Sequence, residues 1–273
     1  MSAPRVRVLR LLESHGLRPD TDLGQHFLVD ENLVDLSLRE AGVGPQDIVL
    51  EVGAGAGVLT AALARAAAAV HAVELDTRLR PLLEEVLDGA AGVHVHWADA
   101  MKLPLEDLDP QPTLLVSNLP YNIATPLRVE STWRLPGLRG WCVMTQRRSP
   151  TAGRPRPATR CTAPPACCCS CARRRRSRRN VGREVFVPRP RVDSALVAFR
   201  RTAPGADATV RACVRAAFAQ RRKTLVNTLS AAGVPKPAVA AALEALGRPA
   251  TTRAQDLSPS EHLALARALP WPS

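Results

Sequence analysis

The stretch EVGAGAGVLT spans residues 51–60, and its reading decides the fold. An apolar run, DIVLEV at 47–52, leads into it, and a helical pattern, GVLTAALARAA at 57–67, leads out. Glycines at 53, 55 and 57 let the backbone turn tightly and approach a ligand, while the following helix offers unpaired N–H groups in its first turn. The spacing is G-x-G-x-G with valine at 58, so the dinucleotide pattern G-x-G-x-x-G is not met. Taken alone, such a turn reads equally as a plain strand-to-helix connection.

Its surroundings extend the pattern. VHAVEL (70–75) predicts a second strand, TRLRPLLEEVLD (77–88) an amphipathic helix, and VHVHWA (93–98), TLLVSN (113–118) and RGWCVMT (139–145) three further strands. Short apolar strands alternating with helices imply an α/β fold, a parallel sheet covered on both faces. Ligands in such sheets bind beyond the carboxyl ends of the strands. REVFVP (183–188) and SALVAFR (194–200) are spaced like two strands joined by a proline-bearing loop. LRVESTWRLP (127–136) is less regular than a buried helix should be. From Asp207 the pattern is helical through ATVRACVRAAFAQRRKTLVNTLSAAG, PKPAVAAALEALG and SPSEHLALARAL, the last with a serine cap before Glu261. Two domains are expected, a sheet domain over 1–202 and a small all-helical domain over 203–273.

The strand ends carry the chemistry. Glu74 closes the second strand where an acid can accept both ribose hydroxyls of a nucleoside, and Asp99 closes the third where it can meet an adenine amino group. Each acid alone is more often a strand-end carboxylate facing water; the ordered set Gly53, Glu74, Asp99 on successive strand ends is harder to obtain by chance. SNLPYN (117–122) then ends the fourth strand. Pro120 halts the ladder and presents Asn118 and the Leu119 carbonyl as acceptors for an exocyclic amine. Tyr121, the one tyrosine in 273 residues, offers a flat ring on which a base can stack.

Four stretches, LGQHFLVD (23–30), EVGAGAGVLT (51–60), SNLPYNIATPL (117–127) and VFVPRPRVDSALV (185–197), resemble the KsgA/RsmA family of S-adenosylmethionine-dependent rRNA adenine N6-dimethyltransferases. QRRKTLVNTL (220–229) adds to the likeness. The resemblance implies a Rossmann-like methyltransferase sheet with a helical C-terminal domain. It also implies a cofactor pocket in which His26 and Leu28 form a wall, Gly53 approaches the methionine part, Glu74 the ribose and Asp99 the adenine. Asn118 would complete that pocket and, with Leu119, Pro120 and Tyr121, hold the target adenine. Phe186 resembles the family's second aromatic near the flipped base, though as one of four phenylalanines it reads equally as core. The implied substrate is the pair of adjacent adenines in the last hairpin of 16S rRNA, within a small-subunit precursor. A 23S rRNA methyltransferase of the antibiotic-resistance type, or an assembly factor that binds RNA without turnover, are the other readings.

Composition bounds the rest. The chain is 46% hydrophobic, enough for a substantial core, and its most apolar run is broken by Arg65 and His71, so neither a membrane span nor a signal peptide is expected. Seven unevenly clustered cysteines do not make a secreted disulfide framework, which points to a reduced cytoplasmic protein, expected to be a monomer without a metal. The net charge of +12 is local: eleven arginines and no acid lie between Arg147 and Arg179, leaving +1 for the remainder.

That segment, RRSPTAGRPRPATRCTAPPACCCSCARRRRSRR, holds five of the cysteines and none of Leu, Ile, Val, Phe, Met, Trp or Tyr. Three of its cysteines are directly adjacent, the single C-x-x-C spacing (Cys168, Cys171) has no separate second pair, and no histidine lies nearby, so zinc is not expected. Three lysines against thirty-four arginines indicate GC-rich codons, which read out of frame yield Arg, Pro, Ala, Ser and Cys. Residues 147–180 are therefore expected to be a frameshifted stretch without ordered structure.

Overall fold

A computed structural model describes residues 3–120, 123–146, 173–202, 207–220 and 222–271. In chain order the first part of the molecule runs α1 (Ala3–Ser14), β1 (Phe27–Leu28), α2 (Glu31–Ala41), β2 (Ile48–Val52), α3 (Val58–Ala66), β3 (Ala69–Glu74), α4 (Arg80–Val86) and β4 (Val93–Trp97). It continues through β5 (Leu114–Asn118), α5 (Ala124–Arg134), β6 (Gly140–Gln146), β7 (Arg173–Val181), β8 (Phe186–Val187) and β9 (Ser194–Arg201). Helices α6 (Ala208–Phe218), α7 (Leu225–Ser230), α8 (Lys236–Ala245) and α9 (Pro259–Ala268) follow.

Seven strands form one sheet in the order β4-β3-β2-β5-β6-β9-β7, parallel from β4 to β6 with β9 antiparallel to β6. Successive residues of the inner strands are buried on opposite faces: Val49, Leu114 and Val116 pack to one side, Leu50, Leu115 and Val143 to the other. Full burial of each such side chain stabilises the fold by about 1.5–3 kcal/mol. Strand order reverses between β2 and β5, which opens a crevice at their carboxyl ends. Helix boundaries have local causes. Asp30 caps α2 by accepting from the Leu33 N–H at 2.9 Å, and Gly42, at φ 68°, ends it in the left-handed region.

Phe186–Val187 and Ser194–Arg201 are two strands joined by a proline-bearing loop, as the spacing implies, and they lie in different sheets, Phe186–Val187 pairing antiparallel with Phe27–Leu28. The structure departs from the sequence expectations at three places. Within the stretch expected to lack order, residues 173–181 form β7 at the sheet edge; residues 147–172 lie outside the described set. An edge strand needs partners on one side only. Residues 127–134 of the irregular stretch belong to helix α5, where two polar side chains find partners: Thr132 Oγ1 donates to the Arg128 carbonyl at 2.7 Å, and Ser131 Oγ accepts from Trp141 Nε1 of β6 at 3.0 Å. The helical run after Asp207 is broken between α6 and α7, where Thr224 starts a new cap with Asn227.

The described residues divide into two units, one that ends with Arg201 and one that begins with Thr202. The second unit packs α6 against α9 and α7 against α8, around Leu225, Leu243 and Leu265. Its last helix begins with a capping box in which Ser258 and Glu261 bond each other's backbone N–H. Arg248 reaches Glu261 at 2.7 Å. Among the described residues, no helix is long and apolar enough to cross a membrane.

Candidate active site

A pocket opens at the carboxyl ends of β2, β3, β4 and β5, and it is built by their last residues and the loops that follow. Gly53, Glu74, Asp99, Asn118 and Leu119 line it, as do His26, Leu28, Pro120 and Phe186. Tyr121 lies outside the described residues.

Gly53 has φ 80°, and a Cβ there would sit 3.6 Å from the Pro120 ring, so its left-handed backbone rather than the space requires glycine. Gly57 serves packing: a Cβ would lie 2.9 Å from Val86 and 3.0 Å from Leu83, so its absence lets α3 start against α4. Glu74 ties the turn to β3. Its Oε2 accepts from the Gly55 N–H at 2.8 Å, and Oε1 accepts from the Leu75 and Asp76 N–H groups at 2.9 Å each. Burial raises the Glu74 carboxyl above the usual range, against the lowering effect of these donors. Three of the four or so lone-pair sites of the carboxylate are taken, which leaves Oε2 with one for a ribose hydroxyl. Asp99 Oδ1 accepts from the Met101 N–H at 2.9 Å, which fixes the carboxylate at the end of β4.

Asn118 is oriented from across the pocket: its Nδ2 donates to the His26 carbonyl at 3.0 Å. A carbonyl only accepts, so the amide nitrogen is the atom facing His26 and Oδ1 is left as an acceptor. The same logic fixes His26, whose Nδ1 lies 2.9 Å from the Pro188 carbonyl and therefore carries its hydrogen. The Leu119 side chain is buried, and its carbonyl receives no backbone N–H among the described residues. Phe186 is only 1% exposed and packs with Phe27 and Leu28, so it forms wall more than open stacking surface.

Sequence reasoning passed over three contributors. Glu51, at the last position but one of β2, lines the pocket at 1% exposure with its Oε2 lacking any hydrogen bond. Burial pushes its carboxyl up to about 8; the nearby Thr60 hydroxyl tempers this and the neighbouring Glu74 adds to it. Leu75, directly after Glu74, stays 56% exposed as a pocket wall, an apolar patch suited to a flat ring. Gln25 bridges to Asp76 on the far side of the opening. An apolar residue between two acids at a strand end was the signal for Leu75; the other two had none in the linear pattern.

The arrangement suits a nucleoside. Glu74 can accept a ribose hydroxyl, Asp99 an amino group, Leu75 and Ala100 can flank a ring, and the buried Glu51 carboxyl, whose Oε2 lacks a hydrogen bond, can bond a polar group of the ligand. Beside it, Asn118 Oδ1 and the Leu119 carbonyl offer two acceptors to a second ligand.

The sequence profile of the family described as Ribosomal RNA adenine dimethylase matches residues 16–265. Ribosomal RNA small subunit methyltransferase A of Thermobifida fusca is 42% identical over 227 residues, 80% of this chain and 79% of that one. The protein of that name from Rubrobacter xylanophilus is 38% identical over 92% of this chain and 95% of its own. Among solved structures, the 23S rRNA methyltransferase ErmE matches with a TM-score of 0.60 at 27% identity, covering 89% of this chain and 99% of that one. A dimethyladenosine transferase from Plasmodium falciparum shares the fold with a TM-score of 0.67 at 22% identity, over 88% of this chain and 96% of its own.

Proposed function

The chain belongs to the ribosomal RNA adenine dimethylase family, and from that membership we propose that it methylates N6 of two adjacent adenines in the 3′-terminal hairpin of 16S rRNA, giving N6,N6-dimethyladenine. It is a methyltransferase, and its cofactor is S-adenosylmethionine, which when bound supplies a methyl group on a sulfonium sulfur. The work is done in the cytoplasm, on a small-subunit precursor, by a monomer.

Glu74 would hold the cofactor ribose, Asp99 its adenine amino group, and His26, Leu28 and Gly53 the remainder of the pocket. The observation that carries the reading is the Asn118 amide in the pocket wall, whose Nδ2 is held by the His26 carbonyl so that Oδ1 is left as an acceptor, next to a Leu119 carbonyl that receives no backbone N–H among the described residues. An adenine N6 is a poor nucleophile because its lone pair is delocalised into the ring. Two acceptors on its N–H groups favour a pyramidal nitrogen and aim the lone pair, and neither is a base, so the displaced proton leaves to water. The base must leave its stack to enter. Pro120 would shape the turn, Tyr121 would stack on the base, and Phe186 would back it.

The likeness to ErmE keeps a 23S rRNA substrate as the second reading. Incubation with labelled methyl donor, using small-subunit particles that lack dimethyladenine against naked 23S rRNA, tests the assignment. Label on the 3′-terminal hairpin is expected; label on 23S rRNA alone would overturn it, and binding of particles without any transfer would indicate an assembly factor.

A further inference from the structure

We propose that Arg189 and Arg191 form a phosphate clamp at the pocket mouth, gripping the RNA backbone on either side of the base being methylated; the inference rests on the reading of this pocket as an rRNA adenine site. Its first support is position. Phe186 lines the pocket, Val187 pairs with Phe27, and the Pro188 carbonyl is bonded by His26, another wall residue. Arg189 is thus the first residue beyond the wall.

The second support is charge left over. Neighbouring arginines are engaged: Arg5 Nη1 donates to the Glu184 carbonyl at 3.1 Å, Arg183 pairs with Asp193 at 3.4 Å, and Arg78 is held by Asp76 at 2.8 Å. Arg189 and Arg191 are exposed, and among the described residues neither side chain has an acidic or hydrogen-bonding partner. The third support is preorganisation. Pro190 is buried between them and Pro188 precedes them, so the loop loses little freedom when it meets a ligand, and the two arginines flank an anchored residue in the chain. A base swung out of its stack brings its own sugar and two flanking phosphates to the rim of the pocket. Two exposed guanidinium groups on the loop that leaves the wall at Phe186 match two phosphates, each able to form a bidentate pair.

The test uses the full chain with Arg189→Gln and Arg191→Gln combined, and the corresponding pair of lysine variants. Losing two phosphate contacts is expected to lower the slope of log affinity for RNA against log salt by about 1.4–1.8. The KM for small-subunit particles should rise about tenfold while kcat stays within about twofold. Affinity for S-adenosylmethionine should not change, and the lysine pair should recover most of the loss. An unchanged salt slope and KM would overturn the clamp, as would a parallel loss of cofactor affinity, which would mean the arginines only support the loop. If the wild-type chain transfers no methyl group to any RNA, the functional reading fails, while the salt slope of RNA binding still decides the clamp.

Discussion

Gln25 Nε2 donates to Asp76 Oδ2 at 2.7 Å, and Gln25 Oε1 accepts from the Asp20 N–H at 2.7 Å, so one amide latches the loop before β1 to the end of β3. Arg78 completes the latch by pairing with Asp76 at 2.8 Å and Asp20 at 3.3 Å. The Arg78 guanidinium holds the Asp76 carboxyl below the usual range despite its burial. The latch sits beside Glu74 on one side and His26 on the other.

Gln25→Ala breaks both bonds and leaves Asp76 with Arg78 alone. Losing hydrogen bonds to a charged partner costs about 1.5–3 kcal/mol, so cofactor affinity measured by calorimetry is expected to fall at least about tenfold. Unchanged affinity would show that the latch does not shape the pocket.

Glu51 gives a pH signature. Its folded value of about 8 lies above its ordinary value of 4.5, so the folded state holds a proton that the unfolded state gives up across that window. The contribution is full below pH 4.5 and is lost as pH rises through about 8. Glu51→Gln removes the dependence: thermal unfolding scans from pH 5 to pH 9 should show the wild type losing Tm faster than the variant. Parallel curves would refute a buried protonated carboxyl.

Asn118→Ala removes the acceptor aimed at the reacting amine. Loss of one such group costs about 100- to 1000-fold in kcat. Single-turnover methyl transfer should fall by that order, with cofactor affinity falling far less; equal losses in both would reduce Asn118 to a cofactor contact.

The segment 147–180 invites a genetic test. Resequencing should reveal that a one-nucleotide shift after Gln146 yields an amphipathic helix, and a frame-restored chain should unfold at a higher Tm than the chain as written. If neither shifted frame encodes such a helix, the frameshift explanation fails. That β7 forms from residues 173–181 shows only that an edge strand tolerates arginine.

The sequence by itself determined the parallel sheet and the order of groups along its rim, because each signal was local. Glu74 and Asn118 end their strands, Gly53 and Asp99 follow theirs within two residues, and alternation of apolar runs with helical periodicity identifies those ends without reference to distant chain. The limits appeared where polar residues break periodicity, as at Ser131 and Thr132 in α5, whose hydroxyls bond locally. Only the tertiary structure decided how the pocket is walled and oriented. Phe186 meets Leu28, Pro188 meets His26, Gln25 meets Asp76, and the His26 carbonyl turns Asn118. These contacts join residues far apart in the chain, and they depend on which surfaces pack together, a property that no window of neighbouring residues carries.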